Sequence, residues 1–180
     1  MWIAKLKSGK QVVLRFRRID DVEKLFLMLS SMSEKALQWS MAPYTMERIK
    51  GWNDNLSDLI PIVSEYQNRI VGQAVIHKFP QQRKKGIGEL SVYVHDDFQN
   101  AGLGTALTNR VLQLAEKEKM HRIELSVVAE NRIALHLYEK FGFQIEGRHR
   151  DDFYGCDGKY YDTISMALLL NQNLTKPVDS

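Results

Sequence analysis

The residues with the most chemical potential lie between positions 89 and 143. A carboxylate, Glu89, opens the β-patterned run ELSVYV. That run ends in the turn Gln99-Asn100-Ala101-Gly102-Leu103-Gly104-Thr105. A long helical pattern follows at once, with Leu103, Leu107, Val111 and Leu114 on one face. A strand, a glycine-bearing turn and a helix in that order present unpaired backbone N–H groups at a helix N-terminus. Glycine removes the Cβ that would keep a ligand away, and the helix dipole adds partial positive charge. Such a place holds phosphate or pyrophosphate without a dedicated cation. The spacing is neither GxGxxG after an early strand nor GxxxxGK[ST], so the dinucleotide fingerprint and the P-loop are both excluded.

A second strand–helix pattern, LSVVAENRIALHLYEKFGF, spans residues 125–143. Asn131, Ala134, Tyr138 and Phe141 share one helical face, which is small and apolar with an amide and a phenol. Arg132, His136 and Lys140 form a basic stripe beside it, the usual composition of a solvated face. Together the two segments resemble the GNAT superfamily of N-acetyltransferases. Gln99-x-x-Gly102-x-Gly104 fits that family's [Q/R]-x-x-G-x-[G/A] turn. Asn131, Ala134, Leu137, Tyr138, Gly142 and Phe143 fit its N-x-x-A-x-x-[LF]-Y-x-x-x-G-F stretch. The two motifs stand about thirty residues apart, each after a strand.

The resemblance implies acetyl-CoA as cosubstrate. The main chain of Val92, Tyr93 and Val94 is then expected to pair with the pantetheine arm, as an added strand would. The amides of Gln99, Asn100, Ala101, Gly102, Leu103, Gly104 and Thr105 are expected to hold the pyrophosphate. Asn131, beside Ala134, would bond the pantetheine. Lys140 or Arg132 would partner the ribose phosphate. Many family members have Arg where this chain has Gln99, so one charge contact is missing. Tyr138 is placed like the general acid that protonates the leaving thiolate, and Glu89 like the base of some members. The bland alternatives are an exposed strand-edge carboxylate for Glu89 and a core tyrosine for Tyr138.

The chemistry explains why such groups are needed. An alkyl ammonium with a pKa of about 10.4 has no lone pair at neutral pH, so a proton must be accepted before attack. A thioester oxyanion needs a donor, for which an amide near Val92 to Val94 is available. The resemblance places the acceptor amine between residues 31–45 and 149–161. The second stretch, HRDDFYGCDGKYY, mixes acids with aromatics. That suits a cationic amine, and it equally suits a polar hairpin loop. The closing segment resembles both the subgroup acting on protein N-termini, ribosomal ones included, and the polyamine acetyltransferases. Transfer to a primary amine, on a small molecule or a peptide N-terminus, through a ternary complex is the expected function. A non-catalytic CoA-binding regulatory domain is the alternative.

The elements that must position these groups are legible as hydrophobic periodicity. QVVLRFRR (11–18) alternates as a strand. Asp20 or Asp21 then caps a helix carrying Val22, Leu25, Phe26, Leu29 and Met32. Short helical pieces follow at 33–37 and from Thr45 to Trp52. Residues 59–65 and 69–78 read as a hairpin, 88–98 as a strand and its turn, and 102–120 as a helix. Residues 121–128 form a strand, 131–141 a helix ended by Gly142, and 143–149 and 160–170 two last strands. His95 is expected at the surface. The order predicts an α+β (α/β sandwich) fold, a central mixed, mostly antiparallel sheet flanked by helices. One domain is expected over 1–170 with a flexible tail at 171–180.

Composition excludes several classes. The 180 residues carry 25 Lys and Arg against 22 Asp and Glu, a net +3, which is too small an excess for a dedicated nucleic-acid binder. The single cysteine, Cys156, allows no internal disulfide and no multi-Cys zinc site, and no metal is expected. No apolar run approaches the ~20 residues of a spanning helix, and the N-terminus does not resemble a signal peptide. No membrane partner and a cytoplasmic location are expected, with a homodimer as the default assembly.

Overall fold

The computed structural model describes residues 1–54 and 56–170. Eight strands form one sheet. They are β1 (Trp2–Lys5), β2 (Gln11–Phe16), β3 (Leu59–Tyr66), β4 (Arg69–Lys78), β5 (Ile87–Val94), β6 (Arg122–Val128), β7 (Gln144–Tyr154) and β8 (Tyr160–Leu169). Their order is β1-β2-β3-β4-β5-β6-β8-β7, and only β5 and β6 run parallel. The helices are α1 (Val22–Ser30), α2 (Glu34–Leu37), α3 (Met46–Gly51), α4 (Leu103–Lys117) and α5 (Arg132–Lys140). The expected mixed, mostly antiparallel sheet with flanking helices is therefore present. The N-terminal strand β1 was not anticipated, because four residues give too short a pattern. The expected tail at 171–180 lies outside the described residues.

The chain builds these elements from local signals. β3 and β4 are joined by Gln67 and Asn68, both with positive φ (48° and 64°), the geometry of a two-residue hairpin turn. Thr45 caps α3 by accepting from the Arg48 N–H at 3.2 Å. Asp21 precedes α1 as expected, but its carboxylate does not cap that helix. It accepts instead from the Arg18 N–H and, at 2.7 Å on each oxygen, from Arg15.

Two apolar layers sandwich the sheet. On one face Leu103, Leu107, Val111 and Ala115 of α4, with Leu135 and Tyr138 of α5, pack on Val12, Leu14, Ile60, Ile62, Ala74, Ile76 and Leu90. On the other, Leu25, Met28 and Leu29 of α1 and Ile49 of α3 pack on Val63 and Ile70. Strand alternation decides which side each residue takes. Along β5 the even positions face α4 and the odd positions Glu89, Ser91 and Tyr93 face the α1–α3 side. Gly72 on β4 lets α4 sit close, since a Cβ there would lie 2.9 Å from Leu107 Cδ1. That seating fixes the N-terminus of α4 at the end of β5.

Candidate active site

The parallel pair at the centre of the sheet is incomplete. β5 and β6 pair at Ile87–Arg122, Gly88–Ile123 and Glu89–Glu124, and no further. β5 nevertheless stays paired with β4 as far as Gly72–Val94, and β6 with β8 as far as Val128–Thr163. The two strands therefore diverge beyond Glu89, and a gap opens between them. Peptide groups alternate in direction along a strand. The His95 N–H donates to Val71 O, and Gly86 O accepts from Arg122 N–H, so odd positions of β5 point to β4 and even positions to β6. Val92 therefore turns its N–H and C=O into the gap, with no partner among the described residues. Tyr93, expected to pair with a ligand through its main chain, instead points those groups at Gln73 on β4. The Val94 carbonyl is capped by the Gln99 side-chain amide at 3.2 Å.

The gap runs into the turn before α4. Asn100 (φ 57°) and Gly102 (φ 89°) both have positive φ, between an extended Gln99 and the first turn of α4. A left-handed Gly102 leading into the right-handed first turn of α4 is the backbone pattern of an anion-binding nest. Gly102 offers no side-chain cap, so Leu103, Gly104 and Thr105 open α4 with free N–H groups. The Gln99 N–H, expected in the cradle, is already spent on Asp96 O at 3.1 Å. The available amides run from Asn100 to Thr105. A Cβ on Gly104 would approach Leu137 and Val94 at 3.6 and 3.8 Å, so glycine keeps the floor open between α4, α5 and β5. Sequence reasoning missed Lys7. Its N–H donates to Ala101 O at 3.0 Å, and its Cγ lies 4.0 Å from the point a Gly102 Cβ would occupy. The β1–β2 turn thus brings a cation to the nest where Gln99 supplies none. Only the tertiary pairing reveals it.

From the α5 side come Asn131, Ala134 and Tyr138. Asn131 caps α5 by accepting from the Ala134 N–H at 3.2 Å, which leaves its side-chain amide protons to donate. Tyr138 is 7% exposed and packs on Phe143, with ring centroids 5.6 Å apart. Burial pushes its pKa up to about 12. Its hydroxyl makes no hydrogen bond among the described residues. Tyr138 packs in the α4–α5 layer and Tyr93 in the α1–α3 layer, on opposite faces of the sheet. Lys140 and Arg132 are exposed at opposite ends of α5 and form no ion pair among the described residues.

Across the sheet, the α1–α3 side forms a second surface at the same gap. Glu89 is exposed there, and its cross-strand neighbour on β4 is His77. His77 is exposed at the end of β4, and partial desolvation, then the positive charge of Arg17, lower its pKa. Tyr93 stacks on Trp52 at 6.4 Å and shares a hydroxyl contact of 3.2 Å with Tyr44. Desolvation raises the Tyr93 pKa, and Tyr44 adds to the effect. Trp39 meets Tyr161 and Phe153 edge-on at 5.0 and 6.2 Å, joining the segment after α2 to the β7–β8 hairpin.

The acids of that hairpin are largely committed. Asp157 accepts from the Tyr161 hydroxyl at 2.7 Å, Asp152 from Thr163 at 2.6 Å, and Asp162 from Arg148 at 2.6 Å and the Asp151 N–H at 3.0 Å. His95, expected at the surface, is 7% exposed. Its Nε2 lies 3.2 Å from Ser31 Oγ, and its Nδ1 accepts from the Asp97 N–H. Beside it Ser33 holds Asp96 through both its N–H and its hydroxyl. These contacts tie the start of α2 to the turn that follows β5. Among the described residues no group of three or more His, Cys, Asp or Glu side chains could hold a metal ion, and no helix is long and apolar enough to cross a membrane.

The parallel pair thus splits beyond Glu89 and opens onto the amides at the start of α4. The model of the acetyltransferase (GNAT) family matches residues 26–143, and the chain belongs to that family of N-acetyltransferases. It is 24% identical over 161 residues to the L-amino acid N-acetyltransferase AaaT of Escherichia coli, covering 87% of this chain and 97% of that protein. It is 28% identical over 116 residues to the spermidine N(1)-acetyltransferase of Vibrio cholerae, covering 64% of this chain and 65% of that protein. Among solved structures it resembles yncA from Salmonella typhimurium, determined with its cofactor acetyl-CoA. The TM-score is 0.79 at 19% identity, over 94% of this chain and 100% of the other.

Proposed function

We propose that this enzyme transfers acetyl from acetyl-CoA directly to a primary amine, with both substrates bound at once. The observation that carries this reading is the continuity of the β5–β6 gap at Val92 with the free amides of Asn100 to Thr105. That is the shape and polarity of an extended amide-bearing arm followed by a pyrophosphate. Val92 supplies main-chain pairing, the nest and Lys7 supply the anion site, and the Asn131 amide supplies a further donor. Acetyl-CoA brings the activated acyl group.

The remaining steps belong to the chain. The Val92 N–H is a preorganised donor for a developing oxyanion. Tyr138 lies on α5, in the layer that packs over one face of the sheet, and keeps its proton at neutral pH. It is the group able to protonate a departing thiolate. On the opposite side Glu89 and the His77 ring, whose pKa is lowered, are the proton acceptors for an incoming ammonium, directly or through water. Donor and acceptors therefore stand on opposite faces of one gap, as a direct transfer requires.

The test is thiol release from acetyl-CoA with a panel of amino acids, diamines and peptides bearing free N-termini. Turnover with intersecting double-reciprocal plots supports a ternary complex. Parallel plots would point to a covalent acetyl-enzyme. Tight acetyl-CoA binding without turnover of any amine would leave a carrier-binding regulatory protein.

A further inference from the structure

We propose that Arg17 is the docking group for a carboxylate on the acceptor, so that the preferred substrate is an amine carrying an anionic group several bonds away rather than a polycation. This inference rests on the acetyl-transfer reading above.

Arg17 follows β2 and is 6% exposed. Its Nη2 donates to the Trp52 carbonyl at 2.7 Å, and its Nη1 reaches Gln73 Oε1 only at 3.4 Å. Its Nε is buried with no partner. No carboxylate among the described residues pairs with it. The contrast with Arg15, two residues earlier, is direct. Arg15 holds two carboxylates, Asp21 at 2.7 Å and Glu65 at 2.6 Å. Asp21 is near enough for its charge to be felt at Arg17, but its two oxygens are taken by Arg15 and the Arg18 N–H. A guanidinium does not shed its proton, so Arg17 keeps a buried charge without a paired counterion. Such a group marks a place where a ligand can supply the missing charge.

Its position decides which ligand. The Arg17 N–H donates to Pro61 O, and alternation puts the side chain on the same sheet face as Gln73, His77, Glu89 and Tyr93. β2 and β5 are three strand spacings apart, about 14 Å. The Arg17 side chain covers part of that distance, since it reaches Gln73 on β4. Its guanidinium then stands one to two spacings from the gap, about 5–10 Å. That suits an amine and a carboxylate separated by roughly four to six carbons, given bonds of about 1.5 Å. Independently, the positive charge of Arg17 already helps lower the pKa of His77, beside Glu89. A polyamine laid along this face would meet an uncompensated cation. On the β7–β8 hairpin, Asp152, Asp157 and Asp162 already accept hydrogen bonds within the hairpin.

The experiment compares 4-aminobutyrate and 6-aminohexanoate with their amides and with diamines of equal length. It uses the full chain, acetyl-CoA and the thiol-release assay. The carboxylates are expected to exceed their amides by about 100-fold in kcat/KM. Arg17→Met should erase that ratio by raising KM for the carboxylates alone, with acetyl-CoA affinity unchanged by calorimetry. Arg17→Lys, which keeps the charge and loses the planar fork, should lower the ratio partway, and it serves if the Met variant does not fold. Peptides with and without an acidic second residue separate a free amino acid from a peptide as the source of the carboxylate. Equal rates for carboxylate and amide, a preference for diamines, or an equal loss on both substrate types in Arg17→Met would overturn the assignment and leave the transferase reading standing. No turnover of any amine, with acetyl-CoA bound, would overturn both.

Discussion

Tyr138 carries the clearest residue-scale prediction. Its ring is fixed by burial against Phe143 while its hydroxyl bonds nothing among the described residues. A core tyrosine held only for packing would more commonly find a protein partner for that hydroxyl. Tyr138→Phe should lower kcat about 100-fold and leave the acetyl-CoA dissociation constant within about 2-fold. Because the phenol titrates at about 12, that loss should be uniform from about pH 6 to about pH 10. A stopped-flow pH series checks both points, and an unchanged kcat refutes the acid role. Lys7 makes a second prediction. Lys7→Ala should weaken CoA binding about 3- to 10-fold at low salt and shrink the salt dependence, because an exposed cation acts through a screened field. Calorimetry at two ionic strengths reads the effect.

At the scale of elements, the turn before α4 converts backbone shape into charge. Its nest pattern depends on the positive φ of Asn100 and Gly102. An L side chain at Gly102, with φ at 89°, costs about 1–2 kcal/mol, although the surrounding space is open. Gly102→Ala should therefore lower the thermal midpoint by several degrees and weaken CoA binding more than tenfold. A variant that melts lower yet binds CoA as well as the parent would show that the nest is not the anion site. The β5–β6 gap also has an elemental cause. β4 holds β5 and β8 holds β6 over their full lengths, so divergence exposes no free outer edge and costs only the central pairs.

At the scale of the molecule, Arg15, Asp21 and Glu65 bind β2, β3 and the turn before α1 into one charged cluster. Burial alone would raise the Asp21 pKa, but Arg15 and the Arg18 N–H outweigh it and bring the carboxylate below its ordinary value. The depressed folded-state pKa means that Asp21 stabilises the fold above its unfolded value of about 3.9. That contribution is lost as pH falls through the folded value. Asp21→Asn should cost about 3 kcal/mol at neutral pH, because it leaves a buried guanidinium short of charge. It should also flatten the acid side of the stability curve. Urea melts from about pH 3 to about pH 7 compare the two proteins, and parallel curves would dismiss the assignment.

The sequence by itself determined the elements and their chemistry-bearing ends. Alternation marked ELSVYV as a strand, helical spacing marked Leu103, Leu107 and Val111 as a buried stripe, and Asn131, Tyr138 and Gly142 fell at matching points of α5. These are local patterns, set by neighbours within a turn or a pleat. What joined them was decided by tertiary structure. Which peptide groups face the gap depends on which neighbours β5 pairs with, so Val92 is turned inward and Tyr93 outward. Lys7 reaches the nest through a turn more than ninety residues earlier in the chain. His77 meets Glu89 through strand register, and His95 is buried with its Nε2 against Ser31. The isolation of Arg17 is of the same kind. Arg15, Arg17 and Arg18 read alike in sequence, and only the folded arrangement of Asp21 and Glu65 leaves one of them with its buried Nε unpaired. Pairing across a sheet is a long-range property, and no window of neighbouring residues contains it.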